Sequence, residues 1–200
     1  MFELLTGTGL AVAAGLNAYI PLLALGLGGR FLDFVELPAA WSWLENEWVL
    51  GILAVLLVIE VVADKIPIVD SINDWIQTIV RPASGGIAFG TGSASGTAVV
   101  TDPASFFSSS AWVPVALGIL LALGTHLAKM AARPALNLAT AGLAAPAVST
   151  AEDFGSVILS LLALLLPVLV IVAIGGIITA FVLALRRASR RRSRAVDTLA

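Results

Sequence analysis

Five polar residues between Pro67 and Pro82 are spaced as one stripe of an α-helix. Asp70, Asn73, Asp74, Gln77 and Arg81 follow one another at intervals of 3, 1, 3 and 4 residues, which keeps their side chains on one helical face. Val69, Ile72, Trp75, Ile76, Ile79 and Val80 occupy the rest of that surface. Pro67 suits the first turn of a helix and Pro82 its end, so the sequence predicts a short helix over 67–81. Such a helix either lies on a membrane surface with its stripe in water, or dips into a bundle where the stripe lines a polar cavity. Surface-bound helices are usually basic, and the absence of lysine from the stripe favours the second placement.

Other charged groups sit in apolar runs. Glu60 and Asp64 are four residues apart, with Glu60 about twelve residues into the run that begins at Trp48. An ionisable group at that depth in a bilayer is expensive and marks a functional position. His126, Lys129 and Arg133 recur at intervals of 3 and 4 on another apolar segment. The acidic face, with Lys65 beside it, and the basic face are therefore available to pair. The plainer reading is an ion pair at a cytoplasmic rim, with long side chains reaching water. Gly15-Leu16-Asn17-Ala18-Tyr19-Ile20-Pro21 combines a glycine, an amide and a proline, the composition of a helix break at membrane depth. The Asn17 amide then meets either a neighbouring helix or a solute. The candidate substrate or ion path is thus Asn17, Glu60, Asp64, Lys65, Asp70, Asn73, Asp74, Gln77, Arg81, His126, Lys129, Arg133 and Asn137.

Much chemistry is excluded. With no cysteine and one histidine, the chain has no thiol nucleophile, Cys-ligated zinc or iron–sulfur cluster. A Ser-His-Asp triad would depend on His126 alone, which lacks a nucleophile elbow nearby. Gly86 and Gly90, like Gly92 and Gly96, are four apart, a pattern of close helix packing and not of a phosphate loop. Ser149-Thr150-Ala151-Glu152 reads as a capping box before the apolar run from Phe154, with Asp153 in the first turn. The sequence predicts no enzyme, metal or cofactor.

These residues must be positioned by an apolar chain. Hydrophobic residues make up 59% and charged residues 12% of it, against roughly half and a quarter in ordinary globular domains. The expected class is all-α: a polytopic transmembrane helical bundle of five or six crossings, with short re-entrant or interfacial helices. Four stretches approach the ~20 residues a crossing needs: about Leu4–Gly29, Trp48–Asp64, Ala111–Lys129 and Phe154–Leu185, the last free to fold back at Pro167. Ser84–Val100 and Pro134–Val148 either span or re-enter. The loops 31–47 and 101–112 carry acids and aromatics but no base, whereas Lys65, Arg81, Lys129, Arg133 and the Arg186–Arg194 tail alternate with them. Arg30 is the exception. The positive-inside rule then puts the C-terminus in the cytoplasm. A shift of 64 residues aligns Trp48 with Trp112, Lys65 with Lys129, Asn73 with Asn137 and Pro82 with Pro146. The expected organisation is one transmembrane domain, 1–187, containing repeat units of about 48–100 and 112–168, and a disordered Arg-rich tail, 188–200.

At Gly15–Pro21, Ala63–Asp70, Arg81–Gly86 and Ala132–Asn137 the chain resembles a bacterial membrane-protein family known by a domain-of-unknown-function label. The resemblance covers most of residues 4–170 and implies a multi-spanning inner-membrane protein; it brings no activity and no site residue. The residues themselves suggest a small transporter or channel-like protein with a mixed-charge polar site between two repeats and Glu60 as its proton-linked group. The alternative is a non-transporting lipid-binding or scaffolding membrane protein. Expected partners are membrane lipids, with anionic lipid at the Arg tail, and a second copy of the chain; nucleic acid is not expected.

Overall fold

The computed structural model describes residues 2–93, 110, 112–140 and 145–197. Among the described residues there is no strand. Helices α1 (Phe2–Leu16), α2 (Tyr19–Phe31), α3 (Glu47–Ala63), α4 (Pro67–Gly92), α5 (Trp112–Thr140), α6 (Ala145–Leu165) and α7 (Leu169–Asp197) follow one another, with a 3-10 segment at Ala39–Glu45 before α3.

Local chemistry sets the boundaries. The first apolar stretch is two helices, not one, because Asn17 ends α1 and caps α2. Its Oδ1 accepts from the backbone N–H groups of Tyr19 at 3.1 Å and Ile20 at 3.3 Å, while Pro21 has no N–H to satisfy. Asn46 caps α3 by accepting from Trp48 N, and Pro67 occupies the first turn of α4. Pro82 does not end α4, contrary to the sequence reading, and Pro134 lies inside α5. Tertiary packing outweighs the local break at Pro82: Ser84, Gly85, Gly86, Ala88 and Phe89 beyond it are buried. Pro167 lies in the break between α6 and α7. Ser149–Glu152 is not a capping box, because α6 already begins at Ala145. Helix α7 continues to Asp197, through the tail that the sequence reads as disordered. The uncertain segments are not separate helices: 84–92 continues α4, and 134–148 divides between α5 and α6, with 94–100 and 141–144 outside the described residues.

Among the described residues two helices are long and apolar enough to cross a membrane, α5 over Trp112–Pro134 and α6 over Pro146–Leu165. A third arises if the 3-10 segment and α3, bent by 67°, count as one span. This suggests a membrane protein but falls short of five or six crossings, for two physical reasons. α1 and α2 are about 22 and 20 Å long at 1.5 Å per residue, under the ~30 Å of a hydrocarbon core. α4 is long enough but carries the polar stripe.

Helix α1 lies at the centre, packed against α4, α5 and α6. Leu10 and Ala13 of α1 join Leu22, Leu25, Leu44, Leu159, Ala163 and Val170 in one core. Gly26 of α2 packs on Leu44, Trp41 of the same 3-10 segment reaches Gly90, and Gly7 of α1 packs on Phe89. α2 therefore turns back beside α1. Gly85 and Gly118 bring α4 and α5 into backbone contact, and Gly86 and Gly90 pack on Val115. The glycines at four-residue spacing serve packing within the chain; Gly96 lies outside the described residues.

The polarity of α4 is inside out. Ile72, Trp75, Ile76 and Ile79 are exposed, Trp75 by 74% and Ile79 by 76%, while Asp74, Gln77 and Arg81 are buried. α3 likewise exposes Ile52, Val55, Val58, Ile59 and Val62.

The α4–α5 contact gives a packing test. A Cβ on Gly118 would collide with the Gly85 carbonyl oxygen and the Phe89 side chain, whereas one on Gly124 meets nothing within 4 Å. Gly118→Ala is expected to destabilise by about 1–3 kcal/mol through overpacking, and Gly124→Ala to be neutral or stabilising. Thermal melting of the purified variants in detergent checks this; equal melting of the two would contradict the close approach.

Candidate functional site

Nearly every charged residue predicted for the site converges on one buried network. Arg81, fully buried, is its centre. Its Nη2 and Nε donate to Glu60 Oε1 at 2.8 and 3.3 Å, and Nη2 reaches Asp64 Oδ2 at 3.5 Å. Nη1 contacts Gly15 O at 3.5 Å and His126 Nδ1 at 3.1 Å. A guanidinium can only donate, so His126 Nδ1 must accept, which makes the imidazole neutral with its hydrogen on Nε2. Nε2 then faces the Asp74 carbonyl oxygen at 3.2 Å and the Thr78 hydroxyl at 3.1 Å.

Asp64, the residue that ends α3, is a second hub. Its Oδ1 accepts from Asn73 Nδ2 at 2.8 Å. Its Oδ2 faces Lys129 Nζ at 3.1 Å, Arg133 Nη2 at 3.4 Å and Arg81. The cations of Lys129, Arg81 and Arg133, together with the Asn73 amide, surround this buried carboxylate. Lys129 and Arg133 each also pair with Glu152 Oε2 at 2.9 Å. Arg133 Nη1 lies 3.8 Å from Asp74 Oδ2. At the rim, Lys65 Nζ lies 3.6 Å from Asp153 Oδ2, and Asn17 Nδ2 donates to Asp153 Oδ1 at 3.0 Å.

The α1–α2 break takes part directly. The last carbonyls of a helix are unsatisfied and carry partial negative charge. Lys129 Nζ lies 3.5 Å from Leu16 O, as Arg81 does from Gly15 O, and Ser156 Oγ donates to Ala13 O at 3.0 Å. Two cations thus face the open end of α1.

The network is not saturated. Glu60 Oε2, Asp74 Oδ1 and Gln77 Oε1 are buried without a hydrogen-bond partner, and Tyr19 lies beside Gln77 and faces the charges of Glu60 and Arg81. Two predicted members, Asp70 and Asn137, have side chains outside the described residues. Four participants were missed. Glu152 and Asp153 looked like helix-start residues, and Thr78 and Tyr19 lacked charge; the signal available for Glu152 was an excess of bases over acids near His126–Arg133. Arg30, the base on the acidic side, pairs with Glu47 and donates to Glu45 O. The paired repeat positions occupy different local structure: Lys65 follows α3 in a turn, whereas Lys129 lies inside α5.

Removing Arg81 strands Glu60, whereas Asp64 keeps Lys129, Arg133 and Asn73. Arg81→Met is expected to cost about 3–5 kcal/mol, the usual penalty for leaving a buried charge unpaired, and Glu60→Met added to it to recover a large part. Melting temperatures of both variants in detergent measure this; a double variant no more stable than the single one contradicts the pairing.

Comparison with curated proteins and with solved structures finds no match. Residues 4–187 match the family described as Domain of unknown function (DUF4126), a reach beyond residue 170 and into the first arginines of the tail. The chain belongs to the DUF4126 family.

Proposed function

We propose that the protein is a small multi-pass transporter or channel-like protein of a bacterial inner membrane, with its C-terminus in the cytoplasm and the Arg81 network as its substrate or ion site. The observation that carries this reading is the incomplete network. A cluster whose only role is to hold helices together is expected to leave no buried oxygen bare; here three oxygens lack donors, beside the open end of a broken helix. Broken helices at membrane depth are a recurrent device for binding solutes and ions.

The inside-out helices support the membrane setting. Trp48 and Trp112 lie in the first turns of α3 and α5, and Glu60 and His126 lie 12 and 14 residues farther on, about 18–21 Å along the axis. On this reading the charges lie within a ~30 Å hydrocarbon core but nearer the end opposite the tryptophans. Lys65, Lys129 and Arg133 share that end, which the positive-inside rule assigns to the cytoplasm. The α1–α2 pair, entering and turning back at Asn17, reads as a re-entrant hairpin. Mixed charge suits a zwitterion, an anion coupled to a proton, or a phospholipid headgroup better than a bare cation as cargo.

One observation favours the scaffolding alternative: the ion pairs are direct, and no charged member of the inner network is more than 8% exposed apart from Glu152. A transporter caught closed has the same appearance, so flux decides. Protein reconstituted in liposomes is expected to move solute or protons, and Glu60→Gln with Asp74→Asn to abolish that movement. Equal flux in wild type and the double variant would sink this mechanism. Separately, a variant retaining Trp75 as its only tryptophan is expected to be quenched by brominated acyl chains and spared by aqueous iodide. The reverse pattern would place α4 in water.

A further inference from the structure

We propose, on the transport reading above, that Glu60, Gln77 and Tyr19 form a site for one exchangeable monovalent cation, a proton or an alkali ion. The charge inventory says that such a cation is missing. Among the described side chains of the inner network, Glu60, Asp64, Asp74 and Glu152 face Arg81, Lys129 and Arg133, and the outer Lys65–Asp153 pair cancels itself. Four carboxylates against three bases leave these described side chains one positive charge short, although each carboxylate faces at least one base. In a buried setting an uncompensated charge costs several kcal/mol and is relieved by protonation or by ion binding.

The bare oxygens offer two carboxylates for the missing charge, Glu60 and Asp74, and Glu60 is the more deeply buried, at 1% exposure against 7%. Both oxygens of Asp64 have partners, and Glu152 Oε2 is bridged twice. Glu60 Oε2 has no partner although the residue is 1% exposed, and Gln77 Oε1 has none although that residue is 2% exposed. Gln77 lies one turn before Arg81 on the same face of α4, and Arg81 holds the other oxygen of Glu60. Tyr19 enters beside Gln77 because the break at Asn17 starts α2 there. Glu60 is thus faced by Tyr19 from α2, Arg81 from α4, Lys129 from α5 and Asp64 on its own helix.

Either cation resolves the same defect. A proton on Glu60 Oε2 turns a bare acceptor into a donor. An alkali ion gathers carboxylate, amide and phenol oxygens, the hard ligands such ions take. Release of the cation returns the negative charge and draws Arg81 more tightly to Glu60 at the expense of its other neighbours, which is the coupling a transporter requires.

The test uses purified protein in lipid nanodiscs. In the alkali arm, melting is followed in sodium, potassium or choline chloride at fixed ionic strength and alkaline pH. In the proton arm, infrared difference spectra between acid and alkaline buffer are read for a protonated-carboxyl band. The expected result is a sodium- or potassium-specific rise in melting temperature, or a carboxyl band lost in Glu60→Gln. Gln77→Leu and Tyr19→Phe leave the ion pairs in place and cover the case in which Glu60→Gln fails to fold. Gln77→Leu is expected to weaken alkali binding about tenfold, the effect of one lost oxygen ligand, or to shift the carboxyl band. The proposal is overturned if wild type shows neither signal, if Gln77→Leu and Tyr19→Phe leave the signal unmoved, or if the signal survives Glu60→Gln and disappears in Asp74→Asn. Cation binding without flux in liposomes would retire the transport reading and keep the site; flux indifferent to these variants would do the opposite.

Discussion

Taking Arg81 out of water is the constraint around which the bundle is arranged. The idealised cost of moving one such ion into a medium of low dielectric is on the order of 20 kcal/mol, and several remain after relaxation. Arg81 is fully buried, so each of its donors must be met. The partners come from separate parts of the chain: Glu60 from α3, Asp64 at its end, His126 from α5, and the Gly15 carbonyl where α1 stops. One guanidinium therefore ties the central helix to three others, and its demand for an acceptor fixes the tautomer of the lone histidine. Neither helix contact nor tautomer would be specified by apolar packing alone, since leucines and alanines slide past one another at little cost.

The same constraint explains why α4 is inside out. A helix that buries Asp74, Gln77 and Arg81 on one side has only its apolar side left for the exterior. In water, exposing Ile72, Trp75, Ile76 and Ile79 together would be a large unfavourable patch; against acyl chains it costs nothing. The environment and the network are consequently two views of one decision. The short helices fit as well. Because α1 ends at Leu16, its carbonyls are free to face Arg81 and Lys129, and Asn17 can pair with Asp153 while capping α2.

Much of the site was legible from periodicity. The stripe Asn73–Arg81, the pair Glu60 and Asp64, and the triplet His126, Lys129 and Arg133 each announced a face, and opposite charge suggested that the faces meet. The break at Asn17 was readable from an amide beside glycine and proline. What could not be read was tertiary. Pro82 argued for a helix end, yet packing carries α4 onward because Gly85 beyond it meets Gly118 of α5. Glu152 and Asp153 matched a capping pattern that local rules favour, and only the position of α6 against α1 and α5 turns them inward. The crossing number failed for a related reason: hydropathy counts residues, whereas a polar stripe hidden inside a bundle lowers the count without changing which surface the helix shows.

Stability and function make different demands on such a network, and its defects tell them apart. If Arg81 served cohesion alone, apolar residues of similar volume would serve as well or better, since buried ion pairs seldom outperform good packing. Retaining seven charged groups and a histidine in the inner network then costs stability in return for helix register alone. The cost is largest at Glu60 and Gln77, where oxygens face no donor. A fully satisfied network has one stable arrangement. One that lacks a single positive charge has two, with the charge present or absent, separated by the energy of the contacts that rearrange. On the transport reading proposed above, that two-state character is what coupled movement across a membrane needs, and it follows from the imbalance of carboxylates over bases among the described side chains.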